Sequence, residues 1–273
     1  MKFLAAIDLT KAGHGWLAEQ ALAFAFAYGG TVDLLFVGDD PDGSAKLHAL
    51  LHQGPEEVRG QALVQDGNPL DRIVAACASY DALVMGPQAH GALERFVLGT
   101  MAARVIRAAP CAVYVPRSPP ERARPQRPRI LVGVDMSGKN PGWIVGKAGV
   151  WAQRVNGRLD AVFANPHGVP HIKDATIREA AKQQWHKGQE PTRQRLETAL
   201  EATSHAHRGR AKVVDGEPES VLVDMSDQYD LILLGTRERT GLAGYLLGSV
   251  AEHVVQNSAC DVLTLPSNAL DTA

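Results

Sequence analysis

The feature that most constrains this chain is an internal repeat that runs through most of its 273 residues. Six residues of the first half recur 149 positions later, and nearer the start of each half the offset is 127, a difference of 22 residues. The matched residues occur in the same order in both halves, and two consistent offsets indicate a duplicated domain with an insertion in the second copy. The pairs are Asp81 and Asp230, Gly86 and Gly235, Gly99 and Gly248, Thr100 and Ser249, Cys111 and Cys260, Val113 and Val262, and, at the shorter offset, Asp8 and Asp135, Trp16 and Trp143, Gly30 and Gly157, and Asp33 and Asp160.

Length and composition fit two ordinary globular domains of roughly 120 to 140 residues each. A net charge of -2 gives no global electrostatic reason to expect nucleic acid as a partner. The longest apolar run, Ala21–Tyr28, is far shorter than a bilayer span, and no basic-then-apolar leader precedes the first strand-like residues. Three cysteines without a CxxC pair argue against a disulfide framework. We therefore expect a cytoplasmic protein without a membrane partner.

A segment rich in proline and arginine separates the two halves. Residues 116–129 contain five prolines and five arginines, a composition that favours extended polyproline II and cannot form a core. The sequence thus predicts one domain at 1–117, a linker at 118–127 and a second domain at 128–267. The linker is interpreted as a solvated spacer, with contact to RNA or an acidic partner as the alternative.

Each half alternates short apolar strands with helices, and that pattern predicts the fold class. Strands that alternate with helices form a mostly parallel sheet covered on both faces. We therefore predict an α/β protein built from two repeated open five-stranded parallel-sheet domains. The inserted residues enlarge the segment between the second and third strands of the second half, where residues 174–203 read as one or two helices. The first half keeps a short counterpart around residues 46–52.

A glycine-rich segment, Gly235–Val250, joins an apolar strand to a helix in the second half, and Gly86–Met101 repeats it in the first. Glycine lets the backbone approach an anion closely, and the N–H groups of a helix N-terminus carry partial positive charge. The segment is interpreted as a phosphate-binding loop. The alternative is a connection that binds no ligand.

With these residues in view, the chain resembles a tandem universal stress protein. The resemblance rests on strands that end in aspartate, Ala5–Asp8 and Val132–Asp135, on a Gly-x-Pro ahead of a helix, Gly67–Pro69 and Gly216–Pro218, and on the long loops. It covers nearly the whole chain except the linker and the last few residues. It implies a Rossmann-like fold of the adenine-nucleotide alpha-hydrolase-like type.

The ATP-binding members of that family carry a glycine, two residues, a second glycine, nine residues, and then a glycine followed by serine or threonine. Both halves of this chain depart from the pattern at the second glycine, which is Glu238 in the second half and Ala89 in the first. Glu238 puts a carboxylate where phosphates would lie; it would repel them unless it turns outward or coordinates Mg²⁺. The matching residues are Gly235, Gly248 and Ser249, and Gly86, Gly99 and Thr100.

The resemblance implies two sets of nucleotide-binding residues, of which the second-domain set is favoured. The aspartates would lie near the adenosine, the backbone at the end of each second strand would face the adenine, and the glycine-hydroxyl pairs would hold phosphates. For the aspartates and the hydroxyls, helix capping is the alternative role. The second-domain set is Asp135, Ala164, Gly235, Thr236, Arg237, Gly248, Ser249 and Val250, and the first-domain set is Asp8, Val37, Gly86, Gly99, Thr100 and Met101.

No catalytic or metal-binding arrangement can be assembled from the sequence. There is no Ser-His-Asp set and no GxxxxGK[ST]. His167 with His171, and His205 with His207, have a spacing that could bind a metal, but without cysteine or carboxylate partners they are interpreted as surface loop residues. We therefore expect a stress-response sensor that binds ATP, alone or with Mg²⁺, and whose halves form an internal pseudo-dimer. The alternatives are a protein-interaction module whose loops bind no nucleotide, and a slow ATP hydrolase. Adenine nucleotide is the expected partner, besides a second copy of the chain or another protein.

Overall fold

The computed structural model describes most of the chain, and for a few residues it describes the backbone alone. Ala89 and Arg239, which belong to the two long loops, lie outside the described residues. The described ranges are 1–11, 14–86, 99–117, 125–136, 142–167, 174–238, 245–246 and 248–266, with the backbone alone at 178, 237, 238, 245 and 246.

The first half alternates strands and helices in the predicted order. The strands and helices are β1 (Lys2–Ala6), α1 (His14–Tyr28), β2 (Thr31–Val37), α2 (Gly43–Leu51), β3 (Arg59–Gln65), α3 (Pro69–Cys77), β4 (Ala82–Val84), α4 (Thr100–Ala108) and β5 (Ala112–Val115).

The second half repeats this order with one more helix and a short hairpin. Its elements are β6 (Arg129–Gly133), α5 (Gly142–Arg154), β7 (Arg158–Asn165), α6 (Ala175–Gly188), α7 (Glu190–Leu200), β8 (Arg208–Asp215), α8 (Pro218–Met225), β9 (Leu231–Gly235), β10 (Arg237–Glu238), β11 (Tyr245–Leu246), α9 (Ser249–Asn257) and β12 (Asp261–Leu265). The segment between β7 and β8 thus contains two helices, of which α7 corresponds to α2, since both end at the 149-residue offset, and α6 is additional.

Local sequence signals explain where several helices begin. Asn68 caps α3, because its side chain accepts hydrogen bonds from the N–H groups of Leu70 and Asp71, and Pro69 occupies the first helical position. Asp174 caps α6 in the same way.

Among the described residues, no helix combines the length and the apolar character that crossing a membrane requires.

The chain forms two compact units whose limits differ from those of the sequence repeats. The first unit comprises residues 1–125 and 236–273, and the second comprises residues 126–235. Residues 236–266 therefore pack with the first unit, although they continue the second repeat along the chain. The predicted domain boundaries refer to the repeats, and they stay a prediction.

The sheet of the first unit has the strand order β3-β2-β1-β4-β5-β12. All its neighbours pair in parallel except β5 and β12, which are antiparallel. β1, β4 and β5 are buried along most or all of their length, as expected when helices cover both faces of a parallel sheet.

The sheet of the second unit has the order β9-β6-β7-β8, with all neighbours parallel. β6, β7, β8 and β9 are the counterparts of β1, β2, β3 and β4, so this is the order of the first repeat over four strands. The predicted α/β class with a mostly parallel sheet is confirmed.

A buried polar cluster lies where β5 meets β12 in the first unit. The Tyr114 hydroxyl donates to Asp261 Oδ2, and the Arg117 N–H donates to Asp261 Oδ1 at 2.7 Å. Burial lowers the pKa of Arg117 to about 10, although Asp261 and Cys260 oppose the shift. Cys77, Cys111 and Cys260 are buried and form no disulfide. The antiparallel strand pair is thus fixed by side-chain contacts as well as by its backbone.

A buried aspartate organises the amino-terminal edge of the first sheet. Asp33 Oδ1 accepts the Gln61 N–H at 2.8 Å, and Oδ2 accepts the Tyr80 hydroxyl at 2.6 Å and lies 3.1 Å from Lys2 Nζ. The β2–β3 register shifts here, and a Cβ on Gly60 would lie 2.0 Å from Asp33 Oδ1. Glycine is therefore required opposite the aspartate.

The second unit repeats this arrangement. Asp160 Oδ1 accepts the Arg210 N–H at 2.8 Å, and Oδ2 accepts the Tyr229 hydroxyl at 2.7 Å and lies 3.4 Å from Lys212 Nζ. Gly209 occupies the place of Gly60, next to a register shift between β7 and β8. The repeated pair Asp33 and Asp160 thus has one structural role in both units.

Replacing Tyr229 by phenylalanine is expected to lower the free energy of unfolding by about 1 to 3 kcal/mol at pH 8, because the partly buried Asp160 carboxylate loses a donor. Burial and the bond to Asp160 raise the pKa of Tyr229 above its ordinary value of 10. The tyrosine's contribution is therefore complete below pH ~10, the pKa in the unfolded chain, and declines as the pH rises toward the higher folded pKa.

Urea unfolding between pH 8 and 11 measures both effects. The wild type should lose more stability than Tyr229→Phe over the alkaline part of that range. Tyr80→Phe should behave similarly, since burial and Asp33 raise the pKa of Tyr80 too. Equal alkaline losses in wild type and both variants would show that these tyrosines do not titrate as described.

Candidate functional site

The strand order of the first unit changes direction at β1. The chain runs from β1 outward through β2 to β3, and β4 and β5 lie on the other side of β1. In open α/β sheets a crevice forms at such a point, outside the carboxyl ends of the two central strands. Asp8 follows β1 and Gly86 follows β4. The structure therefore brings these two predicted residues to the same edge of the sheet.

Asp8 is a half-exposed carboxylate held by its own loop. Its Oδ1 accepts hydrogen bonds from Thr10 N at 3.1 Å and Thr10 Oγ1 at 2.5 Å, and its Oδ2 lies 3.3 Å from Lys11 Nζ. Partial burial raises the pKa, but the Thr10 hydrogen bonds and Lys11 outweigh burial, so the pKa of Asp8 lies below its ordinary value of 3.8. Asp8 is thus an ionised hydrogen-bond acceptor at neutral pH.

Thr10 and Lys11 are contacts that the sequence reasoning missed. The available signal was a hydroxyl residue two positions after each repeated aspartate, Thr10 after Asp8 and Ser137 after Asp135. Such a residue commonly bonds back to the aspartate in a tight turn. Ser137 lies outside the described residues, so only the first of these turns is described.

The glycines that end β9 and follow β4 pack against tryptophans. A Cβ on Gly235 would lie 2.8 Å from Trp143 Cζ2, within the second unit. In the first unit a Cβ on Gly86 would lie 3.6 Å from Trp16 Cζ3 and 3.3 Å from Leu17 Cδ1. The two tryptophans are themselves a repeated pair. At Gly235 the helix–strand contact therefore requires glycine whether or not a ligand binds.

Two helices begin with a glycine and a hydroxyl residue, as predicted. Gly99 precedes α4 with φ −63° and ψ 154°, and Gly248 precedes α9 with φ −63° and ψ 156°. Neither glycine offers a side-chain cap, so the first-turn N–H groups have no partner within their helix. Thr100 and Ser249 are exposed. Both helix starts have the backbone geometry that an anion requires.

The position of α4 relates its N-terminus to the crevice. α4 connects β4 to β5, and these strands are parallel neighbours. A helix in such a connection runs from the carboxyl end of one strand to the amino end of the next, so it begins at the carboxyl edge. Thr100 and Met101 in its first turn thus lie toward the edge that carries Asp8. The loop at 87–98 lies outside the described residues.

The residues predicted for the second site fall into both compact units. Asp135 is exposed two residues after β6, and Ala164 and Gly235 lie in β7 and β9 of the second unit. The other predicted residues of this site belong to the first unit, and the side chain of Arg237 is outside the described part of the chain. The first-unit members are Thr236, Arg237, Gly248, Ser249 and Val250.

Thr236 is a buried polar residue at the start of the second loop. Only 2% of its surface is exposed, and its N–H donates to Leu265 O at 2.9 Å. Its hydroxyl has no hydrogen-bond partner within the described parts of the chain. A buried hydroxyl without a bond is costly, so Thr236 Oγ1 has a donor to offer as far as the described residues go.

The second strands end close to where the sequence reasoning expected. Val37 is the last residue of β2 and pairs with Gln65. Ala164 is the next-to-last residue of β7, pairs with Val214 and is buried. Each therefore offers backbone groups at the carboxyl edge of its own sheet.

The described residues contain no group of three or more histidine, cysteine, aspartate or glutamate side chains that could hold a metal ion.

Comparison with protein families relates both halves of the chain to one family. The sequence model of the universal stress protein family matches residues 42–117 and 126–266. A universal stress protein of Mycobacterium tuberculosis (strain H37Rv) is 27% identical over 219 residues, which are 79% of this chain and 70% of the relative.

Other similarities are local in sequence or lie in the fold. Universal stress protein E of Photorhabdus laumondii is 41% identical over 59 residues, which are 21% of this chain and 19% of the relative, so the match spans about a fifth of the relative's length. The crystal structure of a universal stress protein from Archaeoglobus fulgidus DSM 4304 is 17% identical and covers 98% of both chains, with a TM-score of 0.68. This last likeness shows the fold.

Proposed function

Because the chain belongs to the universal stress protein family, we propose that it binds ATP at the carboxyl edge of its parallel strands and acts as a nucleotide sensor in a stress response. One observation carries the proposal. The strand order of the first unit changes direction at β1, and Asp8 and the start of α4, whose N-cap residue Gly99 makes no side-chain cap hydrogen bond, lie at the edge where ligands of such sheets bind.

The chemistry of the described residues supports a role for each part of the nucleotide. The ionised Asp8 accepts hydrogen bonds, which suits hydroxyl groups of the ribose. The backbone at Val37 suits the polar edge of adenine. The first-turn N–H groups of α4, with the Thr100 hydroxyl, suit the phosphates. In the second repeat we assign the same roles to the counterpart residues Asp135, Ala164, Gly248 and Ser249.

The pairing of β5 with β12 supports the internal pseudo-dimer. Tyr114 pairs with Leu263, and Val113 pairs with Thr264. Because the repeat offset here is 149, Tyr114 pairs with its own counterpart, and Val113 pairs with the counterpart of Val115. Two copies related by a twofold axis pair in this manner along a shared edge strand.

Calorimetric titration of the intact protein with ATP, with and without Mg²⁺, tests the proposal. We expect saturable binding of one or two equivalents per chain. The absence of binding under both conditions would favour the interaction module over the sensor. Phosphate release measured in the same samples separates a sensor from a slow hydrolase, since a sensor should release phosphate no faster than free ATP does.

A further inference from the structure

An arginine-rich groove lies at the amino-terminal edge of the second unit's sheet. Its volume is about 500 Å³, and the proposed function does not use it. A volume between about 300 and 1,000 Å³ is typical of a small-molecule site. The residues that line it are Arg127, Arg158, His205, Ala206, Arg208 and Gly209.

Backbone contacts fix the arginines around the groove. The Arg127 guanidinium donates to Ala206 O, which ties the segment before β6 to the turn before β8. Arg158 begins β7, and its N–H donates to Pro128 O at 2.8 Å. The Arg208 guanidinium donates to Thr203 O at 3.1 Å and to Glu201 O at 3.0 Å. The groove walls are therefore built from ordered backbone.

The positive charge in the groove has no counter-charge in the described structure. No carboxylate lines the groove, and Arg127, Arg158 and Arg208 form no ion pair with any described residue. Arg127 and Arg158 are exposed, so their remaining N–H donors face water. Like charges around one cavity repel each other, and a bound anion would relieve that repulsion.

The first repeat shows that the fold does not require these charges. Arg59 matches Arg208, and it donates to the equivalent carbonyls, Gly54 O at 2.9 Å and His52 O at 3.3 Å. The remaining groove residues have no basic counterpart, because the positions of Arg158, His205 and Ala206 are taken in the first repeat by Thr31, Glu56 and Glu57. The first repeat thus keeps the arginine at position 59 but carries two glutamates beside it, where the second repeat carries a histidine and an alanine.

We propose that this groove binds a compact anion that carries two or three phosphoryl groups. Guanidinium groups present paired N–H donors that match phosphate oxygens, and three arginines line this one groove. The site lies at the amino ends of the strands, whereas the proposed ATP site lies at the carboxyl ends. It is therefore separate from the proposed function.

A long nucleic acid fits the surroundings less well. The adjoining groove, of about 420 Å³, is lined by Glu197 and Glu201 as well as by arginines. A polyanion that continued along the surface would meet these carboxylates. The chain as a whole has a net charge of -2, which adds no general attraction. The basic surface is thus limited to the groove, and its extent suits a small ligand better than a long polyanion.

Titration calorimetry of the full chain with inorganic tripolyphosphate tests the proposal. The test variant combines Arg158→Thr with His205→Glu, the residues that the first repeat carries at these positions. The control variant combines Arg195→Thr with His186→Glu, which makes the same substitutions at exposed positions outside the groove. Circular dichroism and thermal melting confirm that each variant is folded.

The wild type should bind tripolyphosphate, more weakly as salt concentration rises. The groove variant should bind about tenfold more weakly or worse, because charge-assisted hydrogen bonds are lost, while the control variant stays within about twofold of wild type. The groove variant should also keep ATP binding that depends on the loops. The tripolyphosphate result therefore does not depend on ATP binding at the loops, and either proposal can fail while the other stands.

Four outcomes would overturn the proposal. The first is no tripolyphosphate binding by the wild type, and the second is an equal loss in groove and control variants. The third is a loss caused by Gly248→Val with Ser249→Ala instead of by the groove variant, which would assign the anion to the loop. The fourth is a single-stranded oligonucleotide that binds more tightly than tripolyphosphate and is sensitive to the groove variant.

Discussion

Replacing Gly209 by alanine is expected to lower the free energy of unfolding by about 3 kcal/mol, because the new methyl group has no space. A Cβ at Gly209 would lie 2.0 Å from Asp160 Oδ1 and 2.4 Å from Leu159 O. A backbone oxygen cannot turn away as a side chain can. Relief of the clash would move Asp160 and break its bonds to Arg210 N and the Tyr229 hydroxyl.

Urea unfolding of matched glycine variants measures this effect. Gly60→Ala should behave like Gly209→Ala, since its Cβ would meet Asp33 Oδ1 at 2.0 Å and Val32 O at 2.6 Å. Gly146→Ala is the control, because no described atom lies within 4 Å of its added Cβ. Alanine in place of glycine within a helix should raise the free energy of unfolding by about 0.5 to 1 kcal/mol. A Gly209→Ala protein as stable as the Gly146→Ala protein would contradict the packing described for β7 and β8.

Gly248→Val together with Ser249→Ala is expected to remove the ATP binding that depends on the second loop while the fold persists. A branched side chain at Gly248 blocks close approach of a phosphate, and Ser249 loses a hydroxyl donor. Loss of charge-assisted hydrogen bonds weakens binding by about tenfold to a hundredfold. The fold should tolerate the change, because a Cβ on Gly248 meets no described atom within 4 Å and its φ of −63° and ψ of 156° suit valine.

Calorimetry with ATP, paired with thermal melting, measures this result. Thr100→Ala makes the counterpart hydroxyl change in the first loop and shows which loop holds the nucleotide. If ATP affinity falls with Thr100→Ala and is unchanged in the Gly248 and Ser249 variant, the first loop is the binding site and our preference for the second is wrong. Unchanged affinity in both variants would remove the loops from the proposal altogether.

Much of the fold could be predicted from the sequence because the repeat constrains both copies at once. The apolar strands, the glycine-bounded helices and the helical segment at 174–203 each have a local pattern. Four strands of each repeat then occur in the same spatial order. The antiparallel pairing of β12 with β5 could not be predicted, because both edges of a strand can pair and the sequence pattern does not show which strand lies next to it.

The candidate site was harder to predict, because a glycine can allow close approach of a ligand or close packing of a side chain. The repeated Gly86 and Gly235 suggested close approach of a phosphate, whereas in the structure Gly235 makes room for Trp143. The repeated Asp33 and Asp160 were visible as a pair, but their role depends on residues far apart in the chain. Tyr80, for example, is 47 positions from the Asp33 that it contacts. Spacing within one segment does not reveal such contacts.

The pairing of β5 with β12 determines when the first unit can complete its folding during synthesis. The first unit includes residues 236–266, which leave the ribosome only after the entire second unit has been synthesised. Asp261, the buried acceptor for Tyr114 and Arg117, and Glu252, which lies 2.7 Å from Arg107, arrive last. Domains usually fold as units during synthesis, beginning with the N-terminal one. Here the edge strand β5 must wait uncovered, so translation pauses after residue 117 would prolong its exposure to aggregation.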